Sequence, residues 1–284
     1  MLKLDTHQHF WHLDKVDYPW LVPAYGPIYA NFEAPDLEPQ LAEVGMHKTV
    51  IVQAADSYED TDYMLATAAA NDWVAGVVGW LPLLDPAEMA RKIDEDYGNN
   101  ACFRGIRHLI HEIADPDWVT QDAVIEGLQV LADRGLTFDV VAVFPNHLEH
   151  VPTLSERVPD LKMVVDHLAK PPQGADEGRV WREQMAAAAE NPNVHAKVSG
   201  LNTATADPEN WTWEDIKPWI DTALELFGAD RLMFGSDWPV AILAGTYKKV
   251  HDETEKALAD LGDDERAAIW GRTGNAFYGL GLDP

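Results

Sequence analysis

The sequence predicts an α/β barrel of eight alternating strand and helix units, and three observations predict it. Eight short apolar, β-branched runs recur along the 284 residues, at 2–9, 48–54, 74–81, 103–109, 137–144, 162–168, 194–200 and 231–236. Segments with a helical spacing of apolar residues separate them. The first run ends in Thr6-His7-Gln8-His9, not in the Gly-rich phosphate loop that an open doubly wound sheet carries after its first strand. Eight units in a chain of this length match the usual size of a (β/α)8 TIM barrel, expected as one domain over residues 1–284.

Taken in order, the elements have local reasons. Runs such as Val50-Ile51-Val52 and Met163-Val164-Val165 are apolar on both faces, as parallel strands covered by helices must be. Asp56 to Asp72 places Tyr63, Met64, Ala66, Thr67 and Ala70 on one side of a helix. Asp85 to Tyr97 opens with Asp85-Pro86, an N-cap followed by a proline whose missing N–H costs nothing in a first turn. Trp118 to Ala132 stops near Gly135 and Trp213 to Leu226 stops at Gly228, each a plausible C-cap region. The last stretch, 247–280, is long enough for two helices broken near Gly262.

Composition narrows the function classes. At 46% hydrophobic residues the chain can bury a sizeable core. Cys102 is alone, which excludes an intrachain disulfide and a cysteine-based zinc cluster. Met1-Leu2-Lys3-Leu4-Asp5 reaches charge before a signal-peptide core can form, and no apolar run approaches the ~20 residues of a membrane span, so a soluble cytoplasmic protein is expected. The balance of 48 acidic against 21 basic residues, formally −27, repels nucleic acid and anionic lipid, and neither is expected as a partner. An ordinary acidic enzyme explains this charge; a salt-rich habitat is the alternative, and stability and activity unchanged or best in low-salt buffer would argue against it.

In a barrel the chemistry gathers at the C-terminal ends of the strands. With a period of two, His7 and His9 share a face with Asp5, while Leu4 and Thr6 take the other. Paired imidazoles bind a divalent metal or donate to a polarised carbonyl. In Phe103-Arg104-Gly105-Ile106-Arg107-His108, packing of Ile106 on the helices turns Gly105 and Arg107 to the axis. Gly105 then leaves room for a neighbour or ligand, and Arg107 holds a carboxylate or ester oxygen. Arg104 is expected in an ion pair in the wall, and His108 and His111 either on substrate or at the surface. Asp166 and His167 are adjacent, so one faces the axis: His167 is expected there, with Asp166 fixing a loop. Lys197 either faces the pocket or, the safer reading, forms a salt bridge in the wall. Asp237, among Gly235, Trp238 and Pro239 at the end of an apolar strand, has only a turn cap as its structural alternative. Trp11, Trp20, Trp80 and Trp238 near strand ends are either aromatic walls for a ring or core residues.

Four segments, Asp5-Thr6-His7-Gln8-His9-Phe10, Phe103 to His108, Val165-Asp166-His167-Leu168-Ala169-Lys170-Pro171 and Phe234-Gly235-Ser236-Asp237-Trp238-Pro239, resemble the amidohydrolase-related family, in order and across the chain. Within it they are most similar to the sugar-acid lactonases that open L-fucono- and L-rhamnonolactones. The resemblance implies that Asp237 is the general base for an attacking water, and that His7, His9, His167 and Arg107 polarise the lactone carbonyl. From their places at strand ends and following loops, His108, His111, Trp11, Trp238 and Asn202 are expected on substrate. Binuclear relatives carry a bridging lysine on the fourth strand and a histidine on the fifth; here the fifth, Thr137 to Phe144, has none. The resemblance therefore implies no strictly required cofactor, or one divalent ion, zinc by ligand type, on His7, His9 and Asp237 with His167 in reach. Its partner would be a small sugar lactone, with oligomerisation open. A metal-dependent decarboxylase of an unsaturated carboxylic acid and a non-catalytic sugar-acid-binding barrel are the competing readings.

Overall fold

A computed structural model describes residues 1–283. Eight strands follow in chain order: β1 (Leu4–Gln8), β2 (Lys48–Val52), β3 (Val74–Gly79), β4 (Phe103–His108), β5 (Thr137–Val140), β6 (Met163–Val165), β7 (Val194–Val198) and β8 (Leu232–Phe234). They lie side by side in that order, each parallel to the next. The ring closes above β8, where Asp237 N donates to the His7 carbonyl at 2.8 Å and His9 N to the Trp238 carbonyl at 2.7 Å. All eight fall inside the runs expected from the sequence, shortened because the chain turns into irregular structure at the C-terminal ends.

Helices α1 (Ala34–Val44), α2 (Tyr58–Ala70), α3 (Pro86–Lys92), α4 (Asp122–Asp133), α5 (Val151–Arg157), α6 (Ala175–Ala189), α7 (Trp213–Phe227) and α8 (Tyr247–Ala257) cover the outside. Asp85 caps α3 as the sequence suggests, accepting from Glu88 N, and Ser57 caps α2 by accepting from Asp60 N. The helix expected over Asp85–Tyr97 widens into a π-turn at Ile93–Tyr97, and Trp118–Thr120 is a separate 3-10 turn before α4. The C-terminal stretch breaks at Gly262 and resumes as α9 (Asp263–Ala267) and α10 (Thr273–Phe277).

Two apolar layers form, one between strands and helices and one inside the barrel. Ile51, Val77, Ile106, Phe138, Val165 and Phe234 belong to the first. Leu4, Val50, Val78, Val164 and Met233 belong to the second, which Phe277 and Tyr278 close at the end of α10. Parity along β1 does not run as expected. Its register shifts between Asp5 and Gln8. Leu4 points inward, whereas Asp5 receives the hydroxyl of Tyr247 on α8 at 3.0 Å and parts company with His7 and His9. Arg104 makes no ion pair among the described residues. A side chain at Gly105 would meet Thr137 Oγ1 and its carbonyl, so that glycine makes room for β5 and not for a ligand. No helix among the described residues is long and apolar enough to cross a membrane.

Candidate active site

His7 and His9 leave β1 with their Nε2 atoms 3.1 Å apart. From the neighbouring end of β8, Asp237 brings Oδ1 to 3.4 Å from His9 Nε2 and 3.8 Å from His7 Nε2. His167 Nε2 reaches the same oxygen at 3.8 Å. All four residues are buried. Two backbone devices aim them. Asp237 sits at φ 58°, a left-handed conformation that aspartate tolerates better than most residues. His167, Leu168, Ala169 and Lys170 follow one another at φ 55°, 47°, 60° and 54°. Each such residue costs about 1 kcal/mol or more, so surrounding bonds must hold the turn. They are Phe144 N to the Ala169 carbonyl at 2.9 Å, Trp181 Nε1 to the Leu168 carbonyl at 2.8 Å and Lys170 N to the His167 carbonyl at 2.9 Å.

That left-handed turn overturns the expected split between Asp166 and His167. Strand alternation stops at Val165, and both side chains then turn inward. His167 Nδ1 pairs with Ser199 Oγ at 2.8 Å. Asp166 lies beneath, 3.2 Å from Arg107 Nη1, 3.2 Å from His7 Nδ1 and 3.2 Å from Lys197 Nζ. Lys197 is not in the wall either. From β7 it crosses the interior to Asp139 on β5 and to His7 on β1. Gln53 holds Arg107, its Oε1 accepting from Nε at 3.2 Å and its carbonyl from Nη2. Gly200 has φ 59°, and a Cβ there would lie 2.6 Å from His167 Nδ1, so only glycine leaves that ring its place.

Electrostatics follow from this burial. Desolvation pushes His7 well below the ordinary imidazole range, lowers His9 and takes His167 down to about 3, so all three rings are neutral near pH 7. Burial also raises Asp237, but His167, His9, Lys170 and His7 outweigh it and hold its carboxyl below the usual range. Asp237 is ionised. In the ionic layer burial raises Asp139 to about 6, while Lys197, His7 and Arg107 overcome burial at Asp166 and keep it low.

His9 Nδ1 lies 2.7 Å from the Val52 carbonyl, which can only accept, so the ring's proton is on Nδ1 and Nε2 is a lone pair. That lone pair faces the Asp237 carboxylate, and Asp237 Oδ2 is buried with no hydrogen-bond partner. Such an arrangement asks for a proton or a cation between the atoms. Ligand atoms of His7, His167 and Asp237 lie within 4.8 Å of one another, and imidazole with carboxylate suits zinc. The residues fit one divalent ion.

Around this point opens a pocket of about 240 Å³. Its polar lining is His9, Arg107, His111, Glu112, His167, Lys170 and Asp237, and Trp20, Tyr25, Ile28, Val141, Val143, Val240 and Leu243 form most of its apolar wall. Of the five residues expected as substrate contacts alone, His111 lines it, and so does Trp20, expected as an aromatic wall or as core. His108 turns to Asp56 at 3.0 Å, Trp11 donates to the Ala30 carbonyl, Trp238 packs on Phe10 and Phe32, and Asn202 donates to the Ala241 carbonyl. His108, the last residue of β4, alternates away from the inward Arg107, and loop paths, which strand parity does not write, withdraw the other three. The sequence reading also passed over Gln53, Asp139 and Lys170. Asp139, a lone charge inside the apolar run Thr137-Phe138-Asp139-Val140-Val141, carried a usable signal.

A barrel whose strand ends deliver three imidazoles and one carboxylate to a single point has the equipment for activating water against a carbonyl. The chain belongs to the amidohydrolase family, whose model matches residues 4–280. It is 35% identical to an L-fucono-1,5-lactonase of Burkholderia ambifaria, over 97% of this chain and 95% of that protein. It is 33% identical to an L-fucono-1,5-lactonase of Burkholderia multivorans, over 98% and 96%. Its structure is similar to an amidohydrolase from Burkholderia multivorans solved with bound HEPES (TM-score 0.91) and in another crystal form with zinc (TM-score 0.90), each 31% identical and covering 99% of this chain and 100% of that one.

Proposed function

We propose that this chain hydrolyses a sugar-acid lactone of the fucono- or rhamnonolactone kind, opening the ring to the hydroxy-acid. Asp237 carries the reading: an ionised carboxylate with one oxygen unpartnered, beside three neutral imidazoles at the edge of a pocket. It supports a water that attacks the carbonyl carbon while Asp237 takes its proton. As the ring C–O bond breaks, that proton passes to the departing oxygen. Arg107, 5% exposed and held by Gln53, faces the carbonyl and then the new carboxylate. The apolar wall suits the carbon-bearing face of a deoxy-sugar ring.

A divalent ion, zinc by the donor set, would be held by Asp237 and imidazole nitrogens drawn from His7, His9 and His167, and when bound it supplies charge that polarises the carbonyl. The resemblance to two named lactonases over nearly the whole chain supports the substrate class. One barrel domain over 1–284 and a cytoplasmic location complete the reading, the latter resting on the lone Cys102.

The test is acid release from a panel of aldonolactones, read with a pH indicator, with and without prior chelation. Release from L-fucono- or L-rhamnonolactone is expected, slowed but not abolished by chelation. Silence across the panel, with zinc restored, overturns the proposal.

A further inference from the structure

Lys170 lines the pocket from the last position of the left-handed turn, and its backbone is held there against two preferences. The left-handed region suits glycine or asparagine better than lysine. Pro171 follows at once, and the residue before a proline is steered toward extended backbone, yet Lys170 has φ 54° and ψ 75°. Strain of this kind gathers where the side chain it places has a function.

That side chain is an uncommitted cation. Its ammonium has three N–H donors, of which Thr203 Oγ1 takes one at 3.2 Å. Among the described residues no carboxylate pairs with it, in a chain of formal charge −27. Arg107, the other cation of the pocket, is in the opposite condition. Asp166 Oδ2 accepts from its Nη1 at 3.2 Å, and Gln53 takes Nε and Nη2. Asp166 balances the guanidinium, so Arg107 offers a ligand direction but little net charge. Of the two carboxylates on the lining, Asp237 is the base, and Glu112 stands exposed at the rim, 3.6 Å from His111.

We propose that Lys170 is the carboxylate-binding residue of the pocket and holds the acid group of the ring-opened aldonate through its two remaining N–H donors. Hydrolysis turns a neutral ester into a carboxylate, and Lys170 is the positive charge on the lining that nothing in the free pocket balances. The ring hydroxyls are common to lactone and product, so a residue that read hydroxyls would bind both alike, whereas an ammonium separates them by charge. Lysine also suits a group that moves: a point charge on a flexible stem follows the acid as the ring opens, while Arg107 is fixed by Gln53. This deepens the hydrolytic reading and rests on it for the identity of the anion.

The experiment is calorimetric titration of the protein, as purified and again after chelation, with L-fuconate and L-rhamnonate, each set against its neutral alditol, L-fucitol or L-rhamnitol. Acid and alditol share their hydroxyls and differ in the carboxylate. In the unaltered chain at least one acid is expected to bind about 10-fold or more tighter than its alditol. Lys170→Asn, whose side chain tolerates the left-handed backbone, is expected to weaken that acid by about 10–100-fold and its alditol by less than about threefold. Lys170→Arg should keep most of the preference. Lys170→Gln replaces Lys170→Asn if the latter does not fold, and the unaltered chain decides alone if neither does.

Three results overturn the proposal: an unaltered chain without preference for either acid, an equal loss for acid and alditol in the variant, or an acid affinity the variant leaves unchanged. Lactone turnover is measured separately. Acid binding through Lys170 with silence on the lactone panel sinks the function and spares this inference, and turnover without a preference for the acid does the reverse.

Discussion

Leu4, Val50, Val78, Val164 and Met233 fill one layer of the barrel interior, and the side chains of Asp139, Asp166, Lys197, Arg107 and His7 fill the layer toward the mouth. Both are buried, but they respond differently to change. The apolar layer is held by packing, where lost volume is the main cost of a substitution. The ionic layer balances two carboxylates against an ammonium and a guanidinium. Removing one member strands a buried charge, a loss of roughly 3–5 kcal/mol, although the intact set adds little net stability.

Asp237→Asn is the sharpest cut at the mouth: kcat is expected to fall by about 10²–10⁴-fold with the thermal transition nearly unmoved. Near-normal turnover would remove Asp237 as the base. Met233→Ala tests the apolar layer, with a loss of about 2–5 kcal/mol in denaturant unfolding and kcat within about twofold. A large fall in kcat there would show that the two layers are not independent. Arg107→Ala joins both properties, lowering kcat/KM by about 10–100-fold through the lost charged hydrogen bond and lowering stability as Asp166 loses a partner. If only stability changes, Arg107 belongs to the scaffold.

The smallest effect lies outside both layers. Burial beside Phe277 lowers His195 to about 4. Its folded value lies below its unfolded one, so its contribution is complete above pH 6.5 and is lost as the pH falls from 6.5 toward 4. The slope should amount to about 2 kcal/mol across that window and should flatten in His195→Asn, as urea unfolding at several pH values would show.

Much of this was open to a reader of the chain alone. Eight apolar runs located the strands because burial on both faces demands such composition. His7, His9, His167 and Asp237 stood out because polar side chains at the ends of apolar strands have few structural excuses. Local chemistry also determined the cap at Asp85 and the break at Gly262.

Only the tertiary structure decided the rest. It turned Asp166 and His167 the same way, since four successive left-handed residues need hydrogen bonds from Phe144 and Trp181 to hold them. It sent Lys197 across the barrel, which no alternation along β7 can announce, and it drew Trp11, Trp238, His108 and Asn202 away from the pocket while bringing Trp20 and Lys170 to it. The physical reason is one of range. Propensity and alternation act over a few neighbouring residues, whereas the partner of a buried charge is set by closure of the whole ring, which brings distant strand ends within hydrogen-bond reach.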